Sequence, residues 1–154
     1  MSQLSTPPSG PAAEGRQTGV PRLTVTQDNE FWFAAARDGR LAIQRCTDCS
    51  TLRHPPGPAC PACRSFGWDY VVASGRCTLH SWTVIHHPRD PAFTYPLAVG
   101  LVDLEEGIRL VADIAGVPHD ELEIDMPLEV GFADHAHGER LPQLRPPTYA
   151  AEAR

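Results

Sequence analysis

The sequence has 154 residues, of which 42% are apolar and 21% charged, so its length allows one medium domain or two very small ones. Nineteen acidic residues outweigh thirteen basic ones and leave a net charge of -6, which argues against a dedicated nucleic-acid binder. All thirteen basic residues are arginines, so chemistry that requires a lysine, such as Schiff-base formation or a P-loop, is excluded.

Residues 1–25 predict a disordered leader, because they are rich in Ser, Thr, Pro and Gly and contain almost no apolar residue to bury. A docking tail is the functional alternative for them. They lack the apolar core of a secretory signal, and no run in the chain approaches the roughly 18 apolar residues of a membrane-spanning helix. We therefore expect a cytoplasmic protein without membrane contact, in a compartment where paired cysteines hold metal more often than they form disulfides.

A short helix is predicted from Phe31 to Arg37. Residues 26–30 supply capping oxygens and negative charge at its start, and Gly39 is a natural stop. Its aromatic residues Phe31, Trp32 and Phe33 point about 100° apart, so all three cannot easily share one face. Either the helix is wedged between two domains and buries both sides, or at least one aromatic serves a partner or an acyl ligand.

Two CxxC pairs follow the helix, Cys46 with Cys49 and Cys60 with Cys63. Each pair sets two thiolates on one side of a tight turn, and two such turns complete the tetrahedron that structural zinc prefers. Residues 46–66 contain too few apolar side chains to fold by burial alone, so the metal would supply the missing folding energy. Iron or two disulfides are the alternatives, and His54 is a spare ligand.

The remainder of the chain alternates in the manner of β-strands. The fifth cysteine, Cys77, begins one of them and is interpreted as a small buried apolar residue rather than a nucleophile. Five strands with one helical turn before the fourth favour an OB-type barrel, and an SH3-like barrel or small sandwich is the alternative. The predicted strands are 77–85, 95–104, 108–115, 128–132 and 141–144, Gly100 is a candidate bend, and the helical turn is placed at 118–124.

No pattern typical of a catalytic site is present: GxSxG, HExxH, P-loop and GxGxxG motifs are all missing. Residues 86–90 concentrate polar groups at a strand end, and His135 and His137 suggest at most a weak second metal site. Asp103, Glu105 and Glu106 are interpreted as a charge cluster that faces water at a hairpin tip. We therefore expect no catalytic residue in this chain.

The predicted organisation has four parts. These are a leader over 1–25, the aromatic helix with a zinc ribbon over 26–70, an OB-fold over 71–147 and a tail over 148–154. Several loosely spaced motifs follow one another in this frame. They are Phe31-Trp32-Phe33, Gly39-Arg40-Leu41, the cysteines from Cys46 to Cys63, Trp68, Ser74-Gly75-Arg76, Ser81-Trp82-Thr83-Val84, Tyr95-Pro96-Leu97, the run from Val102 to Gly107 and Met126-Pro127-Leu128-Glu129-Val130.

In this order the motifs resemble a family with an N-terminal rubredoxin-like zinc ribbon and a C-terminal OB-fold, long catalogued as a domain of unknown function and linked to acyl-CoA metabolism. The resemblance covers about residues 26 to 147 and departs from the family at Cys77, where members commonly carry glycine. It implies a non-catalytic accessory subunit of a hetero-oligomer with a thiolase-fold enzyme: a thiolase, an acyltransferase or a retro-aldolase acting on β-keto- or β-hydroxyacyl-CoA, including steroid-derived ones. The accessory chain then stabilises the complex and helps to form the path of the CoA arm.

Two other functions remain open from the residues alone. A single-stranded nucleic-acid-binding module would use Trp82, Phe93 and Tyr95 for stacking, although the net charge opposes it. A free-standing enzyme would need a catalytic set that the sequence does not display.

Overall fold

The computed structural model describes residues 23–135 and 138–148. They form a mainly β structure, as predicted, and no helix among them is long and apolar enough to cross a membrane. The expectations for the leader up to residue 22, for residues 149–154 and for Ala136 and His137 lie outside the described residues. The elements are α1 (Glu30–Arg37), β1 (Ala42–Cys46), β2 (Leu52–Arg53), β3 (Trp68–Val72), β4 (Arg76–Ile85), β5 (Leu97–Leu104), β6 (Arg109–Asp113), β7 (Pro127–Asp134) and β8 (Arg140–Arg145).

The first sheet, here called the ribbon sheet, has the antiparallel order β2-β1-β3. Its central strand β1 is almost wholly buried, and this includes Gln44, whose side chain is inaccessible to water. Gln44 Oε1 accepts hydrogen bonds from Arg53 Nε at 2.7 Å and from the Gly57 backbone N–H at 2.8 Å. A buried amide oxygen needs such donors, so Gln44 ties the segment after β2 to the centre of the sheet.

The second sheet has the order β6-β5-β4-β7-β8 and coils into a nearly closed barrel, which confirms the five-stranded architecture. The ten-residue strand β4 pairs with β5 and, through its first three residues, with β7. Its register with β5 shifts between Leu79 and Ser81, a bulge that increases local twist. The outer strands approach each other at a bridge between Ile114 and Leu144, where the Ala115 N–H donates to the Leu144 carbonyl oxygen at 2.8 Å.

Gly100 lies where the barrel closes. A Cβ atom at this position would stand 2.9 Å from Ile114 Cδ1 and 3.0 Å from Leu144 Cδ1. The sequence marked Gly100 as a bend, and the structure assigns its role to close approach: only a residue without a side chain leaves room for the two aliphatic groups that seal the seam.

One continuous core connects the ribbon sheet to the barrel. Leu41 and Ile43 belong to the same buried cluster as the barrel residues. Helix α1 packs against β1 and β8, and its last residue, Arg37, forms an ion pair of 2.9 Å with Glu139. The barrel side of the cluster contains Cys77, Leu79, Ala98, Val102, Leu104, Leu110, Ile114, Leu122, Leu128 and Leu144.

The helical turn predicted before the fourth barrel strand is wrong. Residues 118–124 form isolated turns and loop, with single local hydrogen bonds from the Glu121 N–H to the Pro118 carbonyl oxygen and from the Met126 N–H to the Glu123 carbonyl oxygen, and the backbone that follows them also pairs with β4. The Asp125 N–H donates to the Leu79 carbonyl oxygen at 2.8 Å, and the Leu79 N–H donates to the Met126 carbonyl oxygen at 2.9 Å. Buried Leu122 fastens the loop to the core.

The start of α1 also differs in detail from the expectation. Asn29 is the N-cap residue, but its side chain forms no capping hydrogen bond to the helix. Asn29 Oδ1 instead accepts a hydrogen bond of 2.7 Å from the Thr26 N–H, which precedes the helix. The polar residues therefore order the turn that leads into α1, while Glu30 supplies the negative charge in its first turn.

Candidate functional site

The four cysteines of the two CxxC pairs converge at one end of the ribbon sheet. All four Sγ atoms lie within 4.8 Å of one another. The distance is 3.6 Å for Cys46 to Cys63 and 3.6 Å for Cys49 to Cys60, so each short contact joins one pair to the other. The thiols are free, and the first cysteine of each pair is buried while the second is exposed.

The two cysteine turns have the same backbone conformation. The N–H of Ser50 donates to the Cys46 carbonyl oxygen at 2.9 Å, and the N–H of Arg64 donates to the Cys60 carbonyl oxygen at 2.8 Å. Both donors have left-handed backbones, with φ of 61° for Ser50 and 64° for Arg64. A left-handed residue reverses the chain directly after the second cysteine, which brings both thiols of a pair to one side.

This arrangement fits a tetrahedral zinc ion. Four sulfurs at about 2.3 Å from zinc lie about 3.8 Å from one another, close to the two distances observed. The backbone N–H groups of Cys63 and Ala62 lower the pKa of the Cys60 thiol to about 6, whereas contact with the other three sulfurs and burial raise the pKa of Cys63 to about 12. Thiolates are the ligand form that metal binding requires. With four protein ligands no position would remain for water, so such an ion would be structural rather than catalytic.

Two other residues considered for metal or thiol chemistry, His54 and Cys77, lie outside the cluster. His54 is not in the cysteine cluster; it packs against Trp32, and burial lowers the pKa of its imidazole. Cys77 is buried in the barrel, where its Sγ donates to the Leu128 carbonyl oxygen at 3.4 Å. Burial raises the pKa of Cys77 to about 12, so the neutral thiol behaves as the small core residue that the sequence indicated.

The aromatic residues of α1 have separate environments. Phe33 is buried with 7% of its surface exposed, which makes it part of the chain's own packing. Phe31 extends over the ribbon sheet, with its ring centroid 4.8 Å from that of Trp68 and 5.4 Å from that of Tyr70. Helix α1 packs against both β1 and β8, but it does not bury all three aromatics, because Phe31 and Trp32 are only half-buried.

Trp32 lines an open groove of about 240 Å³ between α1, the loop after β2 and the barrel. Its ring meets Phe33 edge-on at 5.0 Å and lies 5.9 Å from the ring of His54. The indole Nε1 of Trp32 and Nδ1 of His54 are both shut off from water and have no hydrogen-bond partner among the described residues. The sequence did not indicate this groove, because its walls come from segments that are distant along the chain. The full lining is Asn29, Trp32, Phe33, His54, Pro55, Pro56, Leu110, Val111 and Pro142.

A polar network on the outer face of the barrel was likewise missed. Asp103 accepts hydrogen bonds from Arg109 Nε at 2.7 Å and lies 2.9 Å from His80 Nδ1. The Arg109 guanidinium is the main cause that holds the pKa of Asp103 below its usual range, and His80 adds to it. Only the strand register places these three residues together, since β4, β5 and β6 are neighbours in the sheet.

The aromatics that a nucleic-acid-binding function would use are not assembled into one stacking surface. Trp82 packs partly against the barrel core, and the Tyr95 hydroxyl accepts a hydrogen bond of 3.0 Å from the Asp90 N–H. Phe93 is exposed on the long loop between β4 and β5. The structure therefore brings the cysteines together, whereas Trp82 and Tyr95 have separate structural roles and Phe93 is exposed.

Comparison with domain families matches both halves of the chain. Residues 33–69 match the family described as the rubredoxin-like zinc ribbon domain of ChsH2. Residues 70–133 match the family described as the C-terminal OB-fold domain of ChsH2. The two matches meet directly at residues 69 and 70 and together include all four clustered cysteines.

Three curated relatives carry names from CoA metabolism. The chain is 49% identical over 82% of its length to a probable enoyl-CoA hydratase alpha subunit of Thermomonospora curvata. It is 38% identical over 73% of its length to the 3-oxo-4,17-pregnadiene-20-carboxyl-CoA hydratase alpha subunit of Mycobacterium tuberculosis. It spans only 40% and 36% of those two proteins. The benzoylsuccinyl-CoA thiolase subunit BbsA of Thauera aromatica is 31% identical, and the match covers 58% of this chain and 67% of BbsA.

A solved structure matches over nearly its whole chain. It is titled Ltp2-ChsH2(DUF35) aldolase, and the matched chain is 49% identical with a TM-score of 0.77. The match covers 81% of the present chain and 98% of the other. Sequence, domain order and three-dimensional structure therefore agree, and the chain belongs to the DUF35 family of ChsH2-like proteins, in which a rubredoxin-like zinc ribbon precedes an OB-fold.

Proposed function

We propose that this chain is a non-catalytic accessory subunit of a thiolase-fold enzyme that acts on acyl-CoA, by retro-aldol cleavage or thiolysis. The observation that carries the proposal is the 49% identity to the matched chain of the Ltp2-ChsH2(DUF35) aldolase, 98% of which is covered by the match. The thiolase subunit among the relatives supports the same class of partner. The hydratase activity of the two alpha subunits is outside the proposal, because the chain spans less than half of either protein.

The proposed metal is one structural zinc ion per chain, held by Cys46, Cys49, Cys60 and Cys63. The short distances between the two pairs and the matching backbone turns support it. When bound, the ion would link the two cysteine turns to each other at a fixed distance. The chain's own residues do the rest: the backbone N–H groups near Cys60 stabilise its thiolate, and Gln44 anchors the loop between the pairs.

The proposed contact with the enzyme subunit is the half-buried part of the aromatic helix, Phe31 and Trp32. Phe33 supports this surface from the inside. Tryptophan is enriched among residues that dominate interface energetics, and its truncation commonly costs about 2 kcal/mol or more of binding free energy. Trp32 lies beside an open groove, so a partner residue has space to pack against its ring. The acyl-CoA would reach this chain only within the complex.

The test is co-expression with a thiolase-fold acyl-CoA enzyme of the same organism, sought first among the neighbouring genes, followed by measurement of the dissociation constant and of acyl-CoA turnover. Trp32→Ala should raise the dissociation constant about 30-fold. Phe93→Ala is the matched control, because it truncates an exposed aromatic on a remote loop, and it should stay within about twofold. Both variants should keep the metal content and circular dichroism of the wild type.

Two outcomes would overturn the proposal. One is turnover of acyl-CoA by the isolated chain at a rate comparable to that of the complex, which would make it an enzyme. The other is the failure of the wild-type chain to bind the thiolase-fold protein under any condition.

A further inference from the structure

Strand β3 is an edge of the ribbon sheet, and its outer side is open. The strand pairs only with β1 among the described residues. The Ala73 N–H donates to the Leu41 carbonyl oxygen, and the Thr47 N–H donates to the Gly67 carbonyl oxygen. Residues 67, 69, 71 and 73 therefore direct their backbone groups towards β1. By alternation, residues 68, 70 and 72 direct theirs outward.

Two of the same three residues also have exposed side chains, and the third, Trp68, is half-buried. Trp68, Tyr70 and Val72 lie on one face of β3, and Tyr70 and Val72 are 42% and 52% exposed. Phe31 stacks against both Trp68 and Tyr70, which extends the face by one more aromatic ring. Phe66, just before the strand, is 76% exposed. An apolar face and a row of backbone donors and acceptors therefore coincide.

Strand β3 lacks the devices that normally protect an edge from pairing. It contains no proline, and its register with β1 runs without a bulge. Its single charged residue, Asp69, is bound by Arg45 of the neighbouring strand at 2.6 Å. By contrast, the other edge of this sheet, β2, is only two residues long. Protected or short edges avoid intermolecular pairing, so the open edge of β3 is suited to receive a strand.

We propose that β3 binds an extended segment of the thiolase-fold partner as an additional strand. This inference rests on the proposed function and specifies how the partner is held. The segment would exchange hydrogen bonds with the outward backbone groups of Tyr70 and Val72 and place apolar side chains, at alternate positions, over Phe31 and Trp68. A second copy of this chain is disfavoured as the occupant, because each copy has a net charge of -6 and the copies repel.

The experiment compares Val72→Pro with Val72→Ala in the full chain. Both variants lose the valine side chain, but only proline removes the outward N–H, and residue 72 donates no bond to β1 that proline would break. Val72→Pro should weaken partner binding about 10-fold or more, because a carbonyl group of the added strand loses its donor, and Val72→Ala should weaken it less than about threefold. Metal content and melting temperature verify that each variant is folded.

Amide hydrogen exchange provides a second readout on the unmodified complex. The amides of Tyr70 and Val72 should exchange at least about 10-fold more slowly with the partner than without it, because both become hydrogen-bonded. Equal binding by the two variants, together with unchanged exchange at these amides, would overturn strand addition while leaving the accessory function intact. Dimerisation of the free chain that Val72→Pro abolishes would assign the edge to a second copy and also overturn the proposal. Absence of any wild-type complex would remove both proposals together.

Discussion

The cysteine-containing segment and the barrel differ in the side chains that they bury. Between Cys46 and Trp68 the buried residues are Cys46, Arg53 and Cys60, and none of them is aliphatic. The barrel buries Leu79, Val102, Leu110, Leu128 and Leu144 almost completely. Burial of such side chains contributes roughly 1.5–3 kcal/mol each, so the barrel has a conventional source of stability that the cysteine segment lacks. The contrast supports the proposal of a metal cross-link in the cysteine segment.

The two parts are nevertheless joined. Leu41 and Ile43 extend the barrel core into the ribbon sheet, and the connection between the sheets is bonded to the β5–β6 hairpin. In that connection the Ser74 N–H donates to Glu106 Oε1 at 2.6 Å, and Arg76 Nε donates to Glu105 Oε1 at 2.7 Å. The hairpin carboxylates, which the sequence assigned to a solvated tip, therefore fix the position of the linker. Loss of the metal should disturb the ribbon first and the barrel less.

The largest expected effect follows removal of a metal ligand. Cys46→Ser should abolish stoichiometric zinc binding, because the hydroxyl is a much weaker ligand, and structural zinc contributes about 10 kcal/mol or more of apparent binding free energy. Amides of β1 to β3 should lose protection from hydrogen exchange, while those of Leu79 and Leu128 remain protected. Cys77→Ala is the control and should keep one zinc per chain. Simultaneous loss of protection in both sheets would show that they form one cooperative unit.

The next largest effect is expected in the barrel, where stability rather than zinc binding should change. Leu128 has no exposed surface, so Leu128→Ala should lower the free energy of unfolding by about 2–5 kcal/mol through lost burial and a residual cavity. Zinc content should stay at the wild-type value. Denaturant titration followed by circular dichroism measures the change. Val111→Ala, at a site 62% exposed, should change stability by less than about 0.5 kcal/mol. Similar losses in both variants would contradict the assignment of the core.

A smaller effect is expected where the barrel closes. Gly100→Ala places a methyl group within 3.0 Å of Ile114 and Leu144, and such overpacking lowers the free energy of unfolding by about 1–3 kcal/mol. Gly57→Ala is the matched control, because nothing lies within 4 Å of a Cβ atom at that position. Differential scanning calorimetry compares the two melting temperatures. A melting temperature of Gly100→Ala at or above that of the control would show that a methyl group fits between Ile114 and Leu144 without overpacking.

The smallest effect concerns pH and the interface between helix and ribbon. Burial lowers the pKa of His54 below its unfolded value of about 6.5, so the unfolded chain binds the proton more readily. The free energy of unfolding should therefore decrease as the pH falls below about 6.5, with no contribution from His54 above that value. His54→Gln should reduce the slope between pH 7.5 and 5.5, measured by urea titration. An identical slope in wild type and variant would mean that His54 becomes protonated equally easily in both states.

The order of elements and the family could be predicted because their signals are local. The two cysteines of a CxxC pair lie three positions apart, so each cysteine turn can be predicted from a few neighbouring residues. The alternation of apolar side chains likewise predicts each barrel strand. The loop before β7 could not be predicted in the same way. Its sequence permits a helical turn, but its backbone bonds to Leu79 in a strand about 45 residues earlier in the chain. Local propensity yields when a distant strand offers better partners.

The sequence by itself determined the four thiols, the five strands and the absence of recognisable catalytic motifs, since residue type and spacing are enough to specify each of them. Only the tertiary structure decided which aromatic residues face outward. It buried Phe33, left Phe31 on the ribbon sheet and placed Trp32 beside a groove whose walls come from four separate segments. It also left the edge of β3 open. Burial and edge position depend on contacts between residues far apart along the chain, and no local pattern encodes those contacts.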